Sequence, residues 1–157
     1  MKADQVVSLL HALHDRGLRA WVAGGWAVDA VAGRQSRPHR DLDLAIDAGQ
    51  LSLARAVLAD LGFALTVDWL PVRAELTAAD GRKVDIHPVN FAADGSGTQA
   101  GLDGMTFFYA ADGFDEGRIA GERVPCLSVT QQLRFRQGYE LRDTDHHDLA
   151  LLRQHDR

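Results

Sequence analysis

A chain of 157 residues with 46% hydrophobic and 25% charged side chains has the composition of a folded globular protein, which excludes a largely disordered one. Its net charge of −5 and the lack of any Lys/Arg block argue against a nucleic-acid partner, and no apolar stretch approaches the roughly 20 residues that span a bilayer, so no membrane role is expected. The lone Cys126 rules out an internal disulfide, and residues 1–5 lack the apolar run of a secretory signal, so a cytoplasmic protein of one domain (1–157) is expected.

In chain order, Asp4 reads as the cap of a helix whose apolar residues Val6, Leu9, Leu10 and Leu13 share one face, with Gly17 as its stop. A strand over 18–23 meets Gly24-Gly25, and a short helix over 26–31 leaves that turn, with Gly33 near its end and Asp29 on its surface. Residues 41–47 alternate strictly: Leu42, Leu44 and Ile46 point one way and Asp41, Asp43 and Asp47 the other, the pattern of a half-buried strand with an acidic face that ends near Asp47. A helix over 51–61 stops at Gly62. Strands over 63–68 and 72–78 follow, and Asp80-Gly81 predicts a tight hairpin into a strand over 82–89.

On that last strand Val84 and Ile86 share one face, leaving Lys83, Asp85 and His87 on the other. Gly, Asp and Ala crowd residues 90–104, which reads as a long surface loop. Short edge strands are expected over 107–110 and 123–127, the second interrupted by Pro125. Ser128-Val129-Thr130-Gln131 matches a capping box opening a helix to about 137, and a last helix spans about 145–153. Strands with interspersed helices, then a helical tail, predict an α/β or α+β fold with a mixed sheet, its core over about 1–127 and its tail over about 128–157.

The chemistry is carried by Gly24-Gly25, Asp41-Leu42-Asp43 and Asp85. Carboxylates two apart on a strand project from one face, so Asp41 and Asp43 suit a hard cation bound through oxygen, and Asp85 completes the cluster if its strand is a neighbour. At an effective dielectric of 20, two such charges about 4 Å apart repel by roughly 4 kcal/mol, so three need cations or protons to stay together. Magnesium, as two ions, is the expected answer, because nucleotide transfer must stabilise both an attacking and a leaving oxygen. The glycine turn brings backbone N–H groups close to phosphate oxygens and the next helix aims its positive end at them, with Arg34, Arg37, His39 and Arg40 as added contacts.

Asp85 is also the expected base for an acceptor hydroxyl, with His39 and His87 behind it. His146, His147 and Asp148 carry zinc-ligand chemistry, yet adjacent helical residues point apart and no cysteine pair joins them. Trp21, Trp26, Trp69, Phe107, Phe108 and Tyr139 are expected mostly in the core, and Cys126 buried and inert.

The segments Gly24-Gly25-Trp26-Ala27-Val28-Asp29, Gly33-Arg34-Gln35, Arg37 and His39-Arg40-Asp41-Leu42-Asp43 resemble the antibiotic-inactivating nucleotidyltransferases of the DNA polymerase beta superfamily. Asp85-Ile86-His87-Pro88-Val89-Asn90, Asp94-Gly95-Ser96, Thr98-Gln99-Ala100, Val124-Pro125-Cys126 and Gly138-Tyr139-Glu140-Leu141 with Thr144-Asp145-His146 look like the short lincosamide nucleotidyltransferases, and more distantly the aminoglycoside 2''-adenylyltransferases.

The resemblance implies a polymerase-beta-like fold, ATP or another nucleoside triphosphate as donor, and magnesium held by Asp41, Asp43 and Asp85. It further implies phosphates held by Gly24 and Gly25, AMP transfer to a lincosamide hydroxyl, and a homodimer. The sequence departs from that type at Leu44-Ala45, Ala92-Ala93 and 101–113, which bear on the acceptor more than on the chemistry. Two other readings remain compatible with the residues: the same chemistry on an aminoglycoside or another acceptor, and a nucleotide-binding regulatory or antitoxin-like protein without turnover.

Overall fold

The computed structural model describes residues 1–156. Five helices and nine strands follow in the order α1 (Ala3–Asp15), β1 (Ala20–Val22), α2 (Gly24–Ala32), β2 (Leu42–Asp47), α3 (Leu51–Asp60), β3 (Phe63–Trp69), β4 (Arg73–Ala78), β5 (Lys83–Phe91), β6 (Gly97–Ala100), β7 (Thr106–Tyr109), β8 (Phe114–Ile119), β9 (Glu122–Leu127), α4 (Val129–Arg134) and α5 (Asp143–His155). The sheet runs β3-β4-β5-β2-β1-β9-β8, with β6 added on β5 and β7 on β6. Parallel pairs β2–β5 and β1–β9 lie among antiparallel ones, so the sheet is mixed, as expected for an α+β fold.

One face of the sheet is covered by helices. Leu42, Leu44 and Ile46 of β2 and Val84 and Ile86 of β5 pack there against Val6, Leu9 and Leu13 of α1 and Val57 and Leu58 of α3. Each such aliphatic side chain, taken fully from water, contributes about 1.5–3 kcal/mol, so the alternation in β2 fixes which face is inward. The other face carries a smaller cluster of Ala45, Val89, Tyr109 and Leu127, flanked by Trp21, Phe91, Phe114 and Phe135. Helix α2 lies between layers: Trp26, Ala27 and Ala30 join the main core, while Val28 packs on Leu151 and Leu152 of α5.

Several local expectations are corrected. Lys2, not Asp4, is the cap of α1, its backbone N–H donating to the Gln5 side chain. Both glycines of the Gly-Gly turn lie inside α2, which begins at Gly24. Residues 90–104 are not a long loop: the Asp94-Gly95 turn, closed by Ala92 N–H to the Ser96 carbonyl, folds β5 back into β6. Strand β9 is not an edge. It lies between β1 and the unforeseen β8, touching β1 in register only at Val22–Cys126, which leaves room for Pro125. Ser128 does cap α4, accepting from Gln131 N–H.

Candidate functional site

Strand register brings Asp43 and Asp85 together. In the parallel β2–β5 pair Leu42 faces Val84, Asp43 faces Asp85 and Leu44 faces Ile86. Because the aliphatic partners occupy the helix-covered side, the two-residue period sends both carboxylates, and His87 two residues on, to the opposite face. Ligand atoms of Asp43, Asp85 and His87 lie within 4.8 Å of one another. Asp41 stands outside that compact group. It is half-buried just before β2, and burial first, then the charge of Asp43, raises its pKa.

The two central carboxylates are held differently. Arg73 Nη1 donates to Asp85 Oδ2 at 2.5 Å, while Asp85 Oδ1 is buried without a partner among the described residues. Burial raises the Asp85 pKa, His87 and Arg73 oppose it, and the charge of Asp43 adds to the rise. On Asp43, Oδ1 pairs with His87 Nε2 at 3.1 Å. Burial lowers the His87 pKa, but the bond and charge of Asp43 outweigh it and the net direction is upward. An orphaned carboxylate oxygen beside a second carboxylate is a hard-oxygen donor set, which fits magnesium.

The start of α2 abuts this cluster. Gly24 has φ 58°, and a Cβ there would lie 2.1 Å from Asp43 Oδ2. At Gly25 a Cβ would meet His39 Nδ1 at 2.5 Å and Arg37 Nη2 at 2.6 Å. The absent side chains therefore let one acidic and two basic groups converge on a helix N-terminus, where free N–H groups favour an anion.

The remaining expected contacts sort by what they touch. Arg37 forks onto Asp148 of α5 through Nε and Nη2, both at 3.0 Å. The His39 ring is buried, with Nε2 at 2.5 Å from Asp29 Oδ2 and its face 4.6 Å from the Trp26 ring centroid. Arg34 and Arg40 are exposed. Asp29, expected on the helix surface, is instead 2% exposed and accepts from both the N–H and Oγ of Ser36. Burial would raise its pKa, but the bonds from His39 and Ser36 bring it below the ordinary carboxylate value.

A cleft of about 630 Å³ opens over Asp43 and His87. Trp69, Leu102, Met105, Phe107 and Tyr139 contribute apolar wall, and each is well exposed, contrary to a core role for Trp69, Phe107 and Tyr139. Phe108 is also exposed, whereas Trp26 is in the core as expected. Sequence reasoning gave no site role to Arg73 or Tyr109, which belong to no motif, nor to Gln99, which entered only as part of the resembling segment Thr98-Gln99-Ala100. Their only signal was position: Arg73 follows the turn after Trp69, and Gln99 sits on a strand read as loop.

The chain matches the aminoglycoside-2''-adenylyltransferase family over residues 5–152. It is 40% identical over 133 residues to a lincosamide resistance protein of Staphylococcus haemolyticus, covering 85% of this chain and 83% of that protein. Its fold is similar to the lincomycin-bound crystal structure of the lincosamide antibiotic adenylyltransferase LnuA (TM-score 0.86, 35% identity, 98% of this chain and 97% of that one). The fold also matches ANT(2'')-Ia in complex with adenylyl-2''-tobramycin (TM-score 0.75, 22% identity, 97% and 87% covered). The chain therefore belongs to the aminoglycoside-2''-adenylyltransferase family and is a nucleotidyltransferase.

Proposed function

We propose that this enzyme transfers AMP from ATP to a hydroxyl of a lincosamide antibiotic, with Asp41, Asp43 and Asp85 holding magnesium as two ions. The observation that carries the reading is the in-register pairing of Asp43 with Asp85, the latter keeping one buried, unpartnered oxygen, beside the glycine start of α2. When bound there, magnesium would neutralise the carboxylates and the triphosphate.

The chain's own residues do the rest. Backbone N–H groups at Gly24 and Gly25 receive the phosphates, with Arg37 and Arg40 supplying positive charge and the His39 ring packed beside Gly25 at the mouth of the helix. Asp85 accepts the hydroxyl proton as the acceptor oxygen bonds to the α-phosphorus and the bond to the β-phosphate oxygen breaks, releasing pyrophosphate. Proton, new ester bond and leaving group balance without any further reactant.

The acceptor assignment rests on the cleft wall. Leu102, Met105, Phe107, Trp69 and Tyr139 offer apolar contact, while of the two lining carboxylates away from the centre Asp145 is already paired with Arg142 at 3.0 Å, which leaves Asp103 alone without an ion pair among the described residues. A polycationic aminoglycoside needs several free carboxylates. A lincosamide, with one amine and an apolar substituted ring, matches this wall better. The name of the Staphylococcus haemolyticus relative supports the same choice.

Action in the cytoplasm, where ATP is supplied, and assembly as a homodimer belong to the same proposal. No helix among the described residues is long and apolar enough to cross a membrane, and exposed Phe108, outside the cleft lining, is apolar surface available for a partner copy. Pyrophosphate release from ATP and magnesium tests the central claim, comparing clindamycin, kanamycin and no acceptor. Release with clindamycin alone is expected; release with kanamycin alone would move the acceptor, and silence in every arm with no nucleotide bound would remove the activity.

A further inference from the structure

Gln99, on β6, ties together three segments through one side chain: the turn before β4, β5 and β7. Its Nε2 lies 3.1 Å from the Val72 carbonyl and 3.2 Å from His87 Nδ1, and its Oε1 lies 2.6 Å from the Tyr109 hydroxyl. Gln99 and Tyr109 are 6% and 2% exposed, so water is largely excluded as an alternative partner.

This arrangement has one consistent assignment of hydrogens. A backbone carbonyl only accepts, so the amide atom facing Val72 is nitrogen, and the two ends of the Gln99 side chain cannot be exchanged. Tyr109 then donates to Oε1. Burial, and secondarily the charge of Asp43, push the Tyr109 pKa well above its ordinary value, so the phenol keeps that proton. Nε2 has two hydrogens: one goes to Val72 and the other points at His87 Nδ1, which must therefore present a lone pair. The proton of the neutral ring sits on Nε2, facing Asp43 Oδ1 at 3.1 Å.

We propose that Gln99 is a positioning residue that fixes His87 as an Nε2–H donor to Asp43, so that His87 orients the carboxylate and is not itself a metal ligand. Metal coordination by imidazole requires a bare nitrogen, and here the nitrogen nearest the carboxylates carries the hydrogen. Asp43 then has Oδ1 fixed and Oδ2, lying against Gly24, free for a cation. The anchor reaches both walls of the cleft, Val72 in the turn after Trp69 and Tyr109 on β7, so a shift of either wall is transmitted through one amide to Asp43.

The inference rests on the transferase reading for its kinetic half only, because the position of the ring proton is read without turnover. Full-length protein labelled with ¹⁵N-histidine, at mildly alkaline pH, should show a His87 ring with a protonated Nε2 and a bare Nδ1, identified by its loss in His87→Gln. Adding Mg²⁺ should leave that pattern intact.

Gln99→Leu should release the tautomer, with protonated Nδ1 appearing, and lower kcat about 10–100-fold while the KM for ATP barely moves. Tyr109→Phe should shift both readouts the same way by less, which keeps the test open if Gln99→Leu does not fold. A wild-type ring protonated on Nδ1, or on both nitrogens, overturns the proposal. So does loss of the Nε2 proton on adding Mg²⁺, or a folded Gln99→Leu with unchanged tautomer and kcat. Absence of turnover in every protein would count against the transferase reading, and the ring pattern would still decide the role of Gln99.

Discussion

Gly24 lies so close to Asp43 that a Cβ on the glycine would sit 2.1 Å from Asp43 Oδ2. The start of α2 and the acidic strand are thus fitted to each other without a side chain between them. Gly24→Ala should displace the carboxylate and also strain a left-handed backbone, which costs roughly 1–2 kcal/mol. Gly33 provides the comparison, with φ 69° and nothing within 4 Å of its Cβ position. Gly33→Ala should lose a similar amount of stability yet keep turnover, whereas Gly24→Ala should lose both. Thermal melts and pyrophosphate release on the two variants separate strain from chemistry, and equal turnover would mean that the close approach is unimportant.

Asp43→Asn should abolish transfer and leave the fold in place, since it removes one of two negative charges held in register on adjacent strands. Chelation of divalent metal should do the same to the wild type, reversed by adding magnesium. Circular dichroism and turnover measured on the same samples check both, and full activity in Asp43→Asn would remove the metal role.

The acidic face of β2 was legible because strict alternation leaves only one way to bury Leu42, Leu44 and Ile46. The same rule placed Asp85 beside Asp43 only once β2 and β5 were taken as adjacent, which no local pattern states. Asp29 was misplaced for a physical reason. A helix between two layers buries residues on every side, and Trp26 through Ala30 are all buried, so single-face periodicity does not apply. The β5–β6 turn was misread although Asp94-Gly95 repeats the signal used at Asp80-Gly81, because surrounding glycine and alanine suggested a loop. The parts played by Arg73, Gln99 and Tyr109 were not legible, since each acts through contacts set by tertiary packing.

Two buried carboxylates set the acid limit of stability. Hydrogen bonds from Arg142 bring the Asp145 pKa down to about 2, and those from His39 and Ser36 lower that of Asp29 against its burial. A depressed folded pKa means the unfolded chain binds protons first as pH falls, so both contributions are whole above the ordinary value near 4 and are lost below it, that of Asp145 toward about 2. Asp145→Asn should therefore be less stable than wild type at neutral pH, with the gap closing as pH falls through that window. Chemical denaturation across pH measures it, and a gap that is constant with pH would contradict the assignment.

Cys126 is wholly buried, and burial first, then Asp115 and Glu116, pushes its thiol up to about 12. Thiolate is the reactive form, so a disulfide reagent should leave the native protein untouched and label it only on unfolding. Rapid labelling under native conditions would show that the β1–β9 seam opens locally.

Arg73 both donates to Asp85 Oδ2 and lies with its guanidinium carbon 4.6 Å from the Trp69 ring centroid. Trp69 is half exposed at the cleft, so the arginine links a wall that would meet the acceptor to the carboxylate that would take its proton. Arg73→Ala should leave Asp85 without its donor, and an unsatisfied buried charge of this kind costs about 1–3 kcal/mol or more. It should lower kcat and raise the acceptor KM together, because Trp69 loses the group stacked on it, while the KM for ATP, whose phosphates are proposed to bind at the start of α2, should hold. Arg73→Lys keeps the charge but not the planar fork and should recover stability more than kcat. Steady-state kinetics on both variants, with Trp69 emission as the readout of acceptor binding, decide the matter; an unchanged acceptor KM in Arg73→Ala would mean that the arginine serves Asp85 alone.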